Sequence, residues 1–360
     1  MLRAADQRAR RSKAKINLKY ALYTGLIANR RMARDRRRRP PGEFGEISLS
    51  AALTSIADAR ETVVQPAPGE RLCWPQYRAM MVGILILGIV DAVWLGLSDL
   101  RIAFWPAMLR LGVPTVLLLG ALFYAISGRS ERICATLLAV GTLLMFTLFG
   151  VILSYLAIRG GWPMMDDNLA AWDRVLGLDW PAYQRFVGGH PWFAFTTGML
   201  YETSVIQILA VALVLGFSGR LAVLAEFMAG LIISAFIAVV VGALLPALGA
   251  YHHFGIPDNG IAFYASAIVA AHDGTLQVLD LGAAEGLVVF PSFHTAISVA
   301  VMIACWPVRY LRYPSLVINA LLIAGVPVWG GHYFVDVIAG TLIVAFAVSA
   351  WRRLWPHAGA

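Results

Sequence analysis

From about residue 79 onward the chain alternates long apolar runs with short polar interruptions. The runs fall at residues 79–98, 104–127, 133–157, 192–216, 221–248, 288–306, 314–330 and 333–351. Each is close to the length that a helix rising about 1.5 Å per residue needs to cross roughly 30 Å of hydrocarbon. This pattern predicts an all-α integral membrane protein, a multi-span helical bundle of about eight transmembrane helices. An even number of spans puts both termini on one side. Two longer polar segments lie on the opposite side. The first runs from Arg159 to His190 and spaces Trp162, Trp172 and Trp180 among charges, with Trp192 just beyond, a pattern that suits short helices lying in the interface and capping the bundle. The second, Gly249 to Gly286, contains the apolar stretch Ile261–Ala271, too short to cross and expected as an interfacial or re-entrant helix.

Composition agrees with the pattern: 59% of residues are apolar and 14% charged, which excludes an ordinary soluble domain. The net charge of +8 resembles a nucleic-acid signal until it is mapped. Residues 1–40 hold 14 Lys and Arg against Asp6 and Asp35, leaving 15 Arg, no Lys and 19 acids for the rest. Residues 1–72 therefore read as a basic cytoplasmic tail and linker, held near anionic headgroups rather than on nucleic acid. No cleavable apolar segment follows the basic tail, so it is not read as a secretory signal. Residues 73–353 form the polytopic membrane domain and 354–360 a short cytoplasmic end. Arg129, Arg132, Arg220, Arg309, Arg312, Arg352 and Arg353 all fall in connections on the tail's side, as the positive-inside rule asks. On the other side Arg101, Arg159, Arg174 and Arg185 are mixed with Asp99, Asp166, Asp167, Asp173 and Asp179. Cys73, Cys134 and Cys305 imply neither a disulfide framework nor a metal cluster.

Candidate chemistry lies in two short stretches, Pro291-Ser292-Phe293-His294 at the start of the sixth span and Gly331-His332-Tyr333-Phe334-Val335-Asp336 at the start of the eighth. Ionisable groups at membrane depth are expensive and point to function. These two spans run in the same direction, so both histidines are expected at one surface, each near a helix N-terminus whose unpaired N–H groups and dipole suit a phosphate. His332 and Asp336 share a helix face if the helix starts early enough. A carboxylate on one imidazole nitrogen fixes the tautomer and leaves the other nitrogen to attack. His294 is then placed to protonate a leaving alkoxide and to deprotonate an acceptor hydroxyl, and the Ser292 hydroxyl to hydrogen-bond a phosphoryl oxygen. His252, His253, His272 and Asp273 lack compact metal-ligand spacing and read as loop residues. Glu202, Gln207 and Glu226 read as interhelical hydrogen-bonding groups.

Pro-Ser-x-His followed about forty residues later by His-Tyr-x-x-Asp resembles the second and third signature motifs of the membrane phosphatidic-acid-phosphatase type 2 (PAP2) superfamily. The wording is most similar to its inositol-phosphorylceramide-synthase-like (Aur1-like) branch. The resemblance covers roughly residues 150–350. It includes Pro246-Ala247 and Tyr251, which look like that branch's region before the catalytic loop and make Tyr251 a substrate-binding candidate. It implies a PAP2-like six-helix core, His332 as a nucleophile forming a phosphohistidine, Asp336 as its orienting carboxylate and His294 as general acid and base. The superfamily's usual first motif, which begins with Lys, is absent from the domain, and the expected Ser-Arg pair before the nucleophile is replaced by Gly325 and Val326. Arg159, at the outer end of the third span, is the remaining cationic candidate for a phosphate.

These readings combine into a membrane phosphotransferase that moves a phospho-headgroup from a phospholipid or polyprenyl phosphate donor to a lipid alcohol at the extracytoplasmic face. No metal or other cofactor is required, and no nucleic-acid partner. A lipid phosphatase using water as acceptor is the alternative, and a lipid transporter that only binds the anion is a third reading. The expected location is a bacterial inner membrane.

Overall fold

The computed structural model of the chain describes residues 72–257 and 264–356. The predicted tail lies outside the described residues apart from Leu72, as do residues 261–263 of the predicted interfacial stretch and the chain beyond residue 356. Helix α1 (Trp74–Leu97) starts earlier than its apolar run because Pro75 fits the first turn, where no amide hydrogen is needed. A short β1 (Arg101–Ile102) follows, and then α2 (Phe104–Ser127) and α3 (Glu131–Ile158). Gly128, at φ +60°, closes α2, and Ser130 caps α3 by accepting from the Ile133 amide at 3.3 Å.

The polar segment after α3 forms two short helices, α4 (Asp166–Val175) and α5 (Trp180–Gly189), as its tryptophan spacing predicts. Trp162, Trp172 and Trp192 are exposed, whereas Trp180 turns inward and is buried. The fourth span differs from the expectation of one continuous helix. It is two helices, α6 (Pro191–Glu202) and α7 (Ser204–Phe217), bent by 54° about Thr203. Next come α8 (Leu221–Leu244), α9 (Ala250–Phe254), α10 (Tyr264–His272) and β2 (Val278–Leu279). Helix α8 stops at Leu244, short of the apolar run's end, because Pro246 disfavours helical backbone at the residue before it. The sixth span also differs from its apolar run. Residues 288–292 are not helical, and α11 covers only Phe293–Cys305, 13 residues. Helices α12 (Arg312–Trp329) and α13 (Phe334–Leu354) complete the described chain.

Among the described residues six helices are long and apolar enough to cross a membrane, and the bent α6–α7 pair makes a seventh; α11 is shorter. The protein is a multi-span helical membrane protein. Helix α8 is the hub, packing against α3, α11 and α13 and burying Leu224, Ala225, Met228, Ala229 and Leu231. Helices α1 and α2 instead leave most of their apolar surface uncovered, the arrangement expected where lipid, not protein, is the neighbour.

The two ends of the bundle carry different chemistry. At one end Arg132 donates to the Phe217 carbonyl at 3.3 Å, and Arg352 grips buried Glu226 through two bonds of 2.7 and 2.9 Å. Gln207 and Asn319 join α7 to α12 at 2.9 Å, so Gln207 and Glu226 are interhelical partners as expected, while Glu202 is exposed. At the other end β1 pairs in parallel with β2, Arg101 opposite Val278, and ties the long loop before α11 to the α1–α2 connection. A second apolar cluster, built from the end of α3 with α4, α5, α9 and α10, supports this end.

Candidate active site

The structure brings His294, His332 and Asp336 together at the end opposite the arginines. His332 lies just before α13, in the turn Gly330–Tyr333, rather than on the helix, so its pairing with Asp336 is not a helical i,i+4 contact. Asp336 occupies the third helical position and reaches back over the helix start. Its Oδ2 accepts the Tyr333 amide at 2.9 Å and meets His332 Nδ1 at 3.1 Å. Capping and imidazole orientation thus use one oxygen. Both side chains are buried, His332 at 4% and Asp336 at 0% exposure. Burial pushes the His332 imidazole down to about 4, against a hydrogen bond with the Val289 backbone that acts the other way.

Two more carboxylates hold this turn in place. Asp173 on α4 accepts the Phe334 amide at 2.9 Å and the Val335 amide at 2.8 Å, capping α13 from another element. Burial raises its carboxyl above the usual range while these two bonds pull it back. Asp166, at the start of α4, accepts the Tyr333 hydroxyl at 2.9 Å and the Leu248 and Gly249 amides at 2.9–3.1 Å, which joins α13 to the chain after α8. The expectation that each helix start is open to an anion therefore needs correction for α13, whose first amides are already taken by Asp173 and Asp336.

Gly331, at φ +63°, makes the turn possible, and a methyl there would meet the Tyr264 hydroxyl at 2.6 Å. The Tyr264 hydroxyl donates to the Gly330 carbonyl at 2.9 Å. Trp180 Nε1 donates to the carbonyls of Pro327 and His332, both at 3.0 Å, so a tryptophan of the predicted cap holds the backbone of the turn directly.

His294 occupies the first turn of α11. Its Nδ1 lies 3.1 Å from the Tyr201 hydroxyl, and the two rings stack with centroids 4.3 Å apart. Gly330 separates this pair from the other: a methyl on it would lie 2.5 Å from His332 Cδ2 and 2.9 Å from the Tyr201 hydroxyl.

Of the remaining predicted residues, Ser292 and Tyr251 adjoin the turn and Arg159 is tied to another loop. Ser292 is fully buried, its hydroxyl caps α11 by accepting the Thr295 amide at 3.4 Å, and its own amide donates to the Asp336 carbonyl at 3.0 Å. Tyr251 is buried with its ring against Trp180 at 4.8 Å and beside Gly331. Arg159 donates to the Leu276 carbonyl at 2.8 Å, holding the loop before β2. His253 meets Asp167 at 3.4 Å, and His272 binds Asp273 and the Trp162 carbonyl, both at 3.0 Å. Among the described residues no group of three or more His, Cys, Asp or Glu side chains converges as metal ligands would.

Sequence reasoning misses Tyr201 and places Asp166 and Asp173 only as outer charges. Asp173 has a local signal, an acid among apolar residues on a short helix with an otherwise polar face. Tyr201 has none.

A buried, carboxylate-backed imidazole beside a second, half-buried imidazole can carry nucleophilic and acid–base chemistry on a phosphoester. No curated protein and no solved structure matches the chain. The family model of the PAP2 superfamily matches residues 167–350, a stretch that begins within α4, just after Asp166, and ends within α13. It spans the bent fourth span, both histidines and Asp336. The chain belongs to the PAP2 superfamily, and is an enzyme of the phosphatase or phosphotransferase type acting in a membrane.

Proposed function

We propose that the protein is a lipid phosphotransferase of the Aur1-like kind, passing a phospho-headgroup through His332 to a lipid alcohol. The observation that carries this reading is the His332 Nδ1–Asp336 Oδ2 pair at 3.1 Å, with only Gly330 between the His332 ring and the Tyr201–His294 pair. With Asp336 on Nδ1, Nε2 of His332 is the attacking atom. It forms a P–N bond as the P–O bond to the donor's lipid alcohol breaks, and His294 gives its proton to the departing oxygen. The acceptor hydroxyl then attacks phosphorus, His294 takes the hydroxyl proton, and the P–N bond breaks. Asp336 stabilises the cationic ring in between.

Charge favours a diester donor. The described residues contain no lysine, and Gly325 and Val326 stand where the wider superfamily's Ser-Arg pair is expected. The α13 amides are spent on carboxylates. A phosphomonoester near −2 is poorly matched to such surroundings, and a singly charged phosphodiester suits them better. The low exposure of His332 favours a lipid acceptor over water. The arginine-rich connections lie at the other end, so the site is assigned to the extracytoplasmic face, with its substrates drawn from membrane lipids.

The test is purified protein in detergent, given phosphatidylinositol-like or phosphatidylglycerol-like donors labelled in the headgroup, with and without a lipid alcohol. Label should move to the alcohol, should be trapped on the protein when the alcohol is omitted, and should do neither in His332→Ala. Inorganic phosphate released from a phosphatidate-like donor regardless of acceptor overturns the transferase reading in favour of a phosphatase. Undiminished lipid flux in His332→Ala and His294→Ala, without turnover in any form, would favour a transporter.

A further inference from the structure

The two imidazoles differ in what holds Nδ1: a carboxylate for His332 and a phenol for His294. We propose that Tyr201 is a positioning residue that holds His294 in the tautomer needed for proton transfer, and that these unlike partners divide the labour between the histidines. The proposal rests on the phosphotransfer reading above and deepens it.

The fold goes to some length to bring Tyr201 here. It sits in the last turn of α6, immediately before the 54° bend, far in sequence from α11. The height of α6 is set by its packing on α12. Trp329 Nε1 donates to the Thr197 hydroxyl at 3.0 Å, and a methyl on Gly198 would meet the Trp329 ring at 2.9 Å, so only glycine admits this approach. A methyl on Gly330 would press on both the Tyr201 hydroxyl and the His332 ring, so the bare backbone there leaves the phenol its place between the imidazoles.

Packing alone needs a ring at residue 201 and no hydroxyl. The hydroxyl is nevertheless within hydrogen-bond distance of Nδ1, which leaves Nε2 to face a substrate. A phenol oxygen can accept the Nδ1 proton both when His294 is an imidazolium and after Nε2 has given its proton to the leaving oxygen. The neutral ring then keeps its hydrogen on Nδ1, and Nε2 stays ready to take the acceptor's proton. A carboxylate in the same place would stabilise the cation and blunt the acid. That stabilisation is what a nucleophile passing through a phosphorylated, cationic ring requires, and His332 has it.

Leaving-group dependence separates this role from a structural one, because a p-nitrophenolate departs without a proton and an alkoxide does not. Tyr201→Phe, which keeps the stacked ring, is assayed with two donors sharing one phospho-headgroup, one with an alkyl and one with a p-nitrophenyl leaving group. For the alkyl donor kcat/KM should fall about 100-fold or more, the scale of lost acid catalysis, while for the p-nitrophenyl donor phosphorylation of His332 should change by only about threefold or less. In a His294→Ala background the same substitution should add less than about twofold. An equal loss with both donors, or full additivity with His294→Ala, overturns the proposal. If Tyr201→Phe does not fold, 3,5-difluorotyrosine at residue 201 keeps the hydroxyl but makes it a poorer acceptor. The pH profile with the alkyl donor should then move to lower pH, and an unmoved profile refutes the role. Wild-type protein that turns over neither donor sinks the phosphotransfer reading itself, a result distinct from any failure confined to Tyr201.

Discussion

The cap that Asp173 places on α13 allows a sharp test of how the site is held. Asp173→Ala removes the acceptor of two short bonds, to the Phe334 and Val335 amides, at a position with 2% exposure. Water has little access to replace the carboxylate, so both amides are orphaned. A hydrogen bond to a charged acceptor contributes about 1.5–3 kcal/mol, and loss of an N-cap alone costs about 1 kcal/mol. Against this stands relief from burying a carboxylate, visible in the raised Asp173 carboxyl. A net loss of roughly 3 kcal/mol follows, a melting shift of about 4 °C for a chain of this size. Asp173→Asn keeps one acceptor oxygen and should fall about halfway. Buried Cys134 and Cys305 supply the assay: a thiol-reactive dye in detergent reports their exposure as the bundle melts. Activity should fall further than stability explains, because Asp173 holds the backbone between His332 and Asp336. Melting of Asp173→Ala within about 1 °C of wild type would refute the assignment of this carboxylate as the cap of α13.

Three further expectations follow from the same geometry. Gly331→Ala, forced into φ +63° and against the Tyr264 hydroxyl, should cost about 2 kcal/mol and most of the activity, read by melting and turnover together; wild-type values would mean that the turn relaxes freely. The His332 value, lowered from 6.5 to about 4, means that the unfolded chain takes up this proton first as pH falls. Its contribution to stability is whole above pH 6.5 and is lost down to about pH 4, so His332→Asn should flatten the melting profile in that window and leave it parallel above. Arg352→Ala strands the buried Glu226 carboxylate and should lower stability by about 1–2 kcal/mol, allowing for the half-exposed arginine, while Arg352→Leu with Glu226→Leu should recover most of it; a double variant worse than the single would contradict the pairing.

Much of the fold was legible because membrane helices announce themselves locally. A run of apolar side chains must be helical in hydrocarbon whatever surrounds it, since only a helix satisfies its own backbone there. The spans at residues 104–127 and 133–157 match α2 and α3 almost residue for residue. The reading failed where tertiary contacts overrode the local pattern. Residues 288–292 are apolar enough to extend the sixth span, but they pass as a non-helical segment against α8 and α13. A methyl on Gly242 would lie 2.9 Å from the Phe290 carbonyl, and a methyl on Gly340 would strike the Ser292 carbonyl. The bend at Thr203 interrupts a run whose hydropathy gives no hint of it.

The site divides in the same way. His294, His332 and Asp336 could be read from the chain alone because each motif is short, and because the direction of successive spans puts both motifs at one end. Asp336 could be named as the partner of His332 because only four residues separate them. Tyr201 lies 93 residues from His294, and Asp173 lies 161 from the amide of Phe334. No periodicity links such distant positions. The apolar pattern decides which segments cross the membrane, and their order decides which ends meet. Which side chain holds each imidazole depends on the rotation, height and bend of packed helices, and those are set by contacts between residues far apart in the chain.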